Sequence, residues 1–481
     1  MKLTLIKKFK KTHISLKEKM GRPEKEEILQ GDIISVLFKL AWPLMIATFL
    51  RTLYNLVDTF WLGHLPQPEA TYSVGAVSMS WSFVFLMMSA GIGFGVAAVA
   101  LISQHTGSKQ FDEASRDAGQ LYFLAITFSV LMGIAGYFLS PYFLDILTGN
   151  GEEAAVLAQY GKEYMQVICL GLPFMFLFFA FRFILRGWGD TLTALKITAL
   201  SVLLNLIIDP VLIFGMGPVP KMGVQGAAIA TVSTRGIGAL YGMYLLFSGA
   251  LEIKLDVSYL VPDPDRIKKY ISVGVPASVG RMGSAAGFII LWALINRLPN
   301  QEIASAGYGV GNRILNITFL VLGGLAMAMS TMIGQSLGAD MKKRADKVAK
   351  RGLLSIVALT AVFAFSIFLF RNALIGIFIP GKTEVVKMGA EFLMIFSFSM
   401  PFFGLFRGIS SIFGGSGHTK QQMGVSLIRL WGFRLPLAYV FAFVVGMYAR
   451  GIFLGMALSN IIAAAIAVAL YSKGWWREKV I

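Results

Sequence analysis

The sequence predicts an all-α polytopic membrane protein, with twelve transmembrane helices in two six-helix lobes related by a pseudo-twofold axis. Three observations carry that expectation. Apolar stretches long enough to span a bilayer recur along the whole chain. Basic residues collect in alternate loops. The second half of the chain restates the first.

Of 481 residues, 56% are hydrophobic and only 14% are charged, against roughly 25% charged in soluble domains. The spans are expected at 35–62, 74–103, 118–140, 160–186, 193–214, 224–248, 268–296, 305–334, 352–378, 388–413, 423–447 and 451–472. They read as helices because the apolar runs are long and do not alternate as barrel strands do. The net charge of +17 would suggest nucleic acid on a soluble protein. Here its distribution argues otherwise. Lysines crowd the N-terminal tail (Lys7, Lys8, Lys10, Lys11, Lys17, Lys19) and basic residues fill the even-to-odd loops, Lys109 and Arg116, Lys254 to Lys269, and Lys342 to Arg351. The 63–73 loop has no lysine or arginine. Positive charge stays inside, so both termini are expected in the cytoplasm of a cell whose plasma (inner) membrane the chain spans. Arg371, Lys382 and Lys387 in the fifth outer loop run against that pattern. Met1–Gln30 shows no secretory signal and reads as a solvated or lipid-surface tail. Cys169, the sole cysteine, excludes an intrachain disulfide and reads as packing.

The repeat has four ordered matches. Leu40-Ala41-Trp42-Pro43 is answered by Val273-Gly274-Val275-Pro276, and Gln104-His105-Thr106-Gly107 by Gln335-Ser336-Leu337-Gly338. Gly187-Trp188-Gly189-Asp190-Thr191 is answered by Gly415-Ser416-Gly417-His418-Thr419, and Asp209-Pro210 by Leu435-Pro436. Six spans per half is an even number, so both halves share one orientation and should enclose a cavity. The expected organisation is a basic tail at 1–32, an N-lobe at 33–250, a linker at 251–266, a C-lobe at 267–473 and a cytoplasmic C-terminus at 474–481.

Two acids lie inside spans, Asp58 in the first and Asp209 in the fifth. A carboxylate at the centre of a spanning helix costs about 2.5–3.5 kcal/mol on the insertion scale, so it marks an ion or proton pathway by default. Asn205 and Asp209 share a helix face. By topology Asp58, Asp209 and Thr231 fall at one depth, on three segments. Oxygen ligands of this kind suit a hard cation such as Na⁺ and also suit a shared proton. Tyr54 lies one turn from Asp58 and is expected to line the cavity. Pro43 frees the carbonyl of Lys39, so a kink or hinge is expected there.

Together the Pro43-to-Asp58 helix, Gln104-x-x-Gly107, Gly189-Asp190-Thr191, Asn205-x-x-x-Asp209-Pro210, Gly226-Ala227-Ala228-x-Ala230-Thr231 and Arg434-x-Pro436 resemble the multidrug and toxic compound extrusion family over roughly residues 30–475. The acids in helices 1 and 5 resemble its DinF-like branch. The Na⁺-coupled NorM-like branch is known for acids in helices 7 and 10, where this chain has only Glu391. The resemblance implies a secondary-active antiporter, not an enzyme, exporting small organic compounds by alternating access. It also implies a cation or proton site at Asp58, Asn205, Asp209 and Thr231, with Na⁺ or H⁺ as the coupling ion. No cofactor is called for, and a monomer in membrane lipid is expected, without nucleic acid or ATP.

Arginines in the spans depart from that pattern: Arg51, Arg235, Arg281, Arg313, Arg429 and Arg434. Ion pairing, such as Arg51 with Asp58, or snorkelling accounts for them. A cavity lined by Arg51 and Arg281 for anionic or zwitterionic substrates is the competing reading. It carries an alternative function, a flippase or exporter of anionic or lipid-linked precursors. Gly376-x-x-x-x-Gly381-Lys382-Thr383 matches the phosphate-loop letters but ends a span, so nucleotide binding is not expected. Asp190 reads as an N-cap for helix 5. The four histidines have no metal spacing.

Overall fold

The computed structural model describes residues 21, 23–149 and 151–481. The lysines of the tail up to Lys19 lie outside them. Twelve long helical segments follow one another: α1 (Ile33–Gly63), α2 (Glu69–Gly107), α3 (Phe111–Thr148), α4 (Glu152–Trp188), α5 (Thr191–Phe214), α6 (Gly223–Phe247), α7 (Pro264–Ile295), α8 (Gln301–Gly338), α9 (Lys342–Phe378), α10 (Thr383–Ser416), α11 (Thr419–Val444) and α12 (Tyr448–Ser472). No strand occurs among the described residues. All but α6 are long and apolar enough to cross a membrane. α6 is diluted by Gln225, Thr231, Ser233, Thr234 and Arg235. In lipid each backbone polar group needs an internal partner, which a helix provides along its own length. Large apolar side chains such as Leu131, Phe138, Phe365 and Phe398 point away from the core, as a lipid-facing surface requires. α2 and α8 are the most enclosed helices, and α9 is the most peripheral.

The two halves cross one another in a symmetric way. The first half of α1 (Ile33, Val36, Leu37, Leu40, Leu44) is buried among residues of α8, α9 and α10. The first half of α7 (Tyr270, Val273) is buried in the core of the N-terminal half. Each crossing closes on a glycine. A Cβ on Gly324 would stand 2.3 Å from Met45 Cγ and 3.1 Å from the Ala41 carbonyl oxygen; one on Gly93 would stand 2.1 Å from Ser278 Oγ and 2.2 Å from the Gly274 carbonyl oxygen. These positions answer one another in the sequence repeat. Pro43 and Pro276 sit at the crossings, inside helices that continue through them.

A second symmetric contact lies where α2, α4, α8 and α10 end, the end of the bundle at which α1 begins. Gln104 Nε2 donates to the Ser416 carbonyl (3.3 Å), and Gln335 Nε2 donates to the carbonyls of Gly187 and Trp188 (both 3.2 Å). The two helix ends touch without side chains between them. A Cβ on Gly107 would meet the Gln335 carbonyl oxygen at 2.0 Å, and one on Gly338 the Gln104 carbonyl oxygen at 1.9 Å. Only glycine fits at such a backbone approach. The chain's last residues join this seam: Trp476 is buried, and the Val480 N–H donates to Gln104 Oε1 (2.9 Å).

Three local expectations are decided here. Residues Lys25–Gln30 form a short helix, not solvated tail. Its Ile28 is 1% exposed, and Arg344 donates to the carbonyls of Ile28 (2.7 Å) and Gly31 (2.9 Å). Burying Ile28 and satisfying the helix's last carbonyls holds it down. Asp190 does cap α5, accepting from the Thr193 N–H at 3.0 Å. The phosphate-loop letters fall on the end of α9, a turn, and the first residue of α10, with no strand before them.

Candidate functional site

α1, α5 and α6 bring the predicted acid cluster together. Asn205 Nδ2 donates to Asp209 Oδ1 (2.9 Å), as their one-turn spacing on α5 requires. Thr231 Oγ1 donates to Asp58 Oδ2 (3.3 Å) across from α6. The Asp58 carboxyl also interacts directly with Asp209 and Asn205. All four side chains are at most 3% exposed. Three oxygens in this cluster have no donor: Asp58 Oδ1, Asp209 Oδ2 and Asn205 Oδ1. A buried acceptor without a donor is expensive, and facing carboxylates repel. One proton between the acids, or one hard cation among the three oxygens, answers both deficits. The donor set is oxygen only, which fits Na⁺ or H⁺ and not a soft metal. Neither the described residues' histidines nor Cys169 joins such a cluster.

Two neighbours differ from the sequence expectation. Tyr54 is not a cavity wall: it is 3% exposed, its hydroxyl lies 3.3 Å from Thr234 Oγ1, and the Arg235 guanidinium sits 4.9 Å over its ring. Arg51 does not pair with Asp58. Helical side chains lean toward the N-terminus, so Arg51 swings away from an acid two turns further along, about 10 Å up the axis. It faces the inter-lobe cavity instead. Arg235 is the cation whose charge reaches Asp58.

That cavity has two continuous parts. The wider, about 860 Å³, is walled by aromatic and amide side chains including Trp81, Phe288, Trp292, Tyr308, Asn312 and Asn316. The deeper, about 320 Å³, receives Arg51, Arg182, Arg186, Arg281 and Arg407. Val96, Arg281, Phe319, Arg407 and Gln422 line both. No aspartate or glutamate lines either part. Arg182, Arg186 and Arg407 were not singled out from the sequence. Arg182 and Arg186 lie one turn apart on α4, a spacing that would have placed them on one face of that span.

The C-terminal half carries a different polar cluster in the corresponding place. Leu291 and Leu435 stand where the repeat has Asp58 and Asp209. Arg434 Nε donates to Ser459 Oγ (2.9 Å), its terminal nitrogen donates to Asn460 Oδ1 (2.5 Å), and Asn460 Nδ2 reaches Ser399 Oγ (3.2 Å). Arg434 is therefore a satisfied internal group joining α11, α12 and α10. Replacing it by Met leaves Asn460 and Ser459 short of a charged partner. Arg434→Met is expected to lower stability by about 1.5–3 kcal/mol, read as a fall in thermal midpoint in detergent. An unchanged midpoint would count against that structural role.

The MatE family model matches residues 43–211 and 276–440. The chain belongs to the MatE family. The two matched blocks follow the sequence repeat, and between them they hold the acid cluster's Asp58, Asn205 and Asp209. Curated relatives of this MatE chain include "Probable multidrug resistance protein NorM" of Thermotoga maritima, 28% identical over 95% of this chain and 96% of the relative. "Probable multidrug resistance protein YpnP" of Bacillus subtilis is 27% identical over 94% and 97%. The "FAD transporter" of Shewanella oneidensis is 24% identical over 91% and 94%. Among solved structures, an outward-facing multidrug resistance MATE family transporter of the MOP superfamily matches with TM-score 0.83 and 21% identity, covering 94% of this chain and 97% of that one. A MOP superfamily transporter from Pyrococcus furiosus, described by the reverse polarity of its binding pocket, matches with TM-score 0.84 and 22% identity over the same shares. The fold is that of MATE transporters, and the MatE protein is an integral membrane protein of a multidrug efflux transporter family. Resemblance to the DinF-like branch rests on the positions of the acids alone.

Proposed function

We propose that the protein is a cation-coupled antiporter that exports small organic compounds by alternating access, with H⁺ or Na⁺ entry at Asp58, Asn205, Asp209 and Thr231. The observation that carries this reading is the meeting of two buried carboxyls from α1 and α5 with the Asn205 amide, each of the three groups holding one undonated oxygen. A pair that is short of one positive charge has a reason to take one up. Uptake and substrate binding then bias the same lobe, and the coupling between them is reciprocal. α1 is the element to transmit it, since Asp58 and Arg51 lie on one helix whose first half, up to Leu44, is packed against the other lobe. The basic loops support an orientation with the closed seam in the cytoplasm and the wide cavity facing outward. Relatives described as multidrug resistance proteins support small organic substrates, and the one described as a FAD transporter supports anions among them.

The test is transport by purified protein in proteoliposomes under an imposed pH or Na⁺ gradient, with a panel of cationic and anionic dyes. Gradient-dependent flux is expected in the wild type and its loss in Asp209→Asn. Undiminished gradient dependence in that variant would remove the acid cluster from the mechanism.

A further inference from the structure

We infer that the deep part of the cavity is a binding site for the phosphate groups of an organic anion whose apolar body occupies the wider part. This rests on the transport reading above and names the substrate class for it. Arg51 comes from α1, Arg182 and Arg186 from α4, Arg281 from α7 and Arg407 from α10, so both lobes contribute. Their charges act on one another: Arg281 senses Arg407 and Arg51, and Arg182 senses Arg51 and Arg186. Five like charges in about 320 Å³, with no acid on the wall, are an uncompensated electrostatic load.

The arginines of this basin are not consumed by internal bonding. Arg434, outside the basin, shows what a structural arginine looks like here, with hydrogen bonds to Ser459 and Asn460. By contrast Arg182 and Arg186 rest against phenylalanine rings, Arg182 at 5.9 Å from Phe178 and Arg186 at 5.6 Å from Phe183, and Arg186 Nε is buried without an acceptor. Among the described residues no carboxylate forms an ion pair with any of the five. Guanidinium forks match phosphate oxygens in bidentate geometry. Hydroxyls of Thr191, Ser330 and Ser410 stand on the same wall as further donors. Gln422, whose Oε1 lacks a donor, joins this basin to the wider chamber. There Trp81, Phe288 and Trp292 offer faces for a planar or apolar body. A simple lipophilic cation meets repulsion in this arrangement. An anion held by both lobes releases the repulsion between them when it binds and restores it when it leaves.

The experiment is equilibrium titration of the purified full-length protein in neutral detergent with ADP, adenosine, inorganic pyrophosphate and tetraphenylphosphonium. A parallel arm uses nanodiscs of phosphatidylcholine with and without phosphatidic acid. ADP and pyrophosphate are expected to bind, adenosine alone to bind weakly, and affinity to fall steeply with salt. Arg281→Ala and Arg407→Ala are each expected to weaken the phosphate probes by about 10- to 100-fold. Arg281→Lys, which keeps the charge, is expected to retain more of the affinity, and the exposed Arg313→Gln, away from the basin, all of it. Phosphatidic acid displacing bound ADP would assign the anion to a lipid headgroup; indifference to phosphatidic acid would assign it to a soluble compound. Absence of binding by every phosphate probe, or tetraphenylphosphonium binding that improves none in Arg281→Ala, overturns the inference. If phosphate probes bind but Asp209→Asn leaves gradient-driven flux intact, the coupling reading fails and the basin stands. If coupled flux of a cationic dye is seen with no phosphate binding, the basin fails and the coupling reading stands.

Discussion

Asp58→Asn is expected to reduce gradient-stimulated export to the level seen without a gradient, a fall of about 5- to 150-fold for a coupling of 1–3 kcal/mol. The substitution keeps the shape of the side chain and its bond from Thr231 Oγ1. It removes the charge that makes the Asp58–Asp209 pair short of a cation. Stability is expected to hold or rise, because an ionised group inside a span costs about 2.5–3.5 kcal/mol. The two readouts separate function from folding: the thermal midpoint stays while coupling is lost. Equilibrium binding of phosphate probes in the arginine basin is expected to survive, since Asp58 does not line it. A variant with normal gradient dependence would show that the buried acids serve packing only.

Gly107→Val and Gly338→Val are expected to prise open the seam at which the two lobes meet. The new Cβ would lie 2.0 Å from the Gln335 carbonyl oxygen in the first case and 1.9 Å from the Gln104 carbonyl oxygen in the second. Both obstacles are backbone atoms and cannot rotate aside. Overpacking of this kind costs about 1–3 kcal/mol. The cost falls on the conformation that holds the two helix ends together, so the population shifts toward one in which they part, by roughly 5- to 150-fold. Cys169 is the only cysteine, so Cys169→Ser supplies a cysteine-free background. In it Ser416→Cys, buried at the seam, reports opening through labelling by a membrane-impermeant maleimide. Labelling should accelerate by at least about fivefold in either valine variant. Equal labelling of all three proteins would mean that the seam does not gate access from that side.

How much was legible beforehand differs from residue to residue. Asp58, Asn205 and Asp209 could be read because lipid makes an acid conspicuous and a four-residue spacing fixes a shared face. Thr231 was placed with them by counting depth along antiparallel helices, and its 3.3 Å bond to Asp58 agrees with that count. Tyr54 shares a turn with Asp58, but a one-turn spacing cannot say whether a face looks into a cavity or into α6. Arg51 differs from its expected ion pair with Asp58 for a related reason: the lean of the side chain carries it to the cavity. The stretch Lys25–Gln30 is another such case, since Ile28 is buried by residues of the distant second half.

The sequence by itself determined that the chain crosses a membrane many times as helices, that its second half restates the first, and that two acids, Asp58 and Asp209, lie inside spans of the first half. Each follows from local chemistry: hydropathy acts residue by residue, periodicity acts within one helix, and a repeat is visible as letters. Only the tertiary structure decided that the lobes exchange the first halves of α1 and α7, that the glycine–glutamine ends of α2 and α8 meet backbone to backbone, and that five arginines converge on one acid-free basin. Those depend on which helices lie side by side. In lipid, apolar faces are nearly interchangeable, so neighbours are chosen by small-residue approaches and polar bonds between helices far apart in sequence.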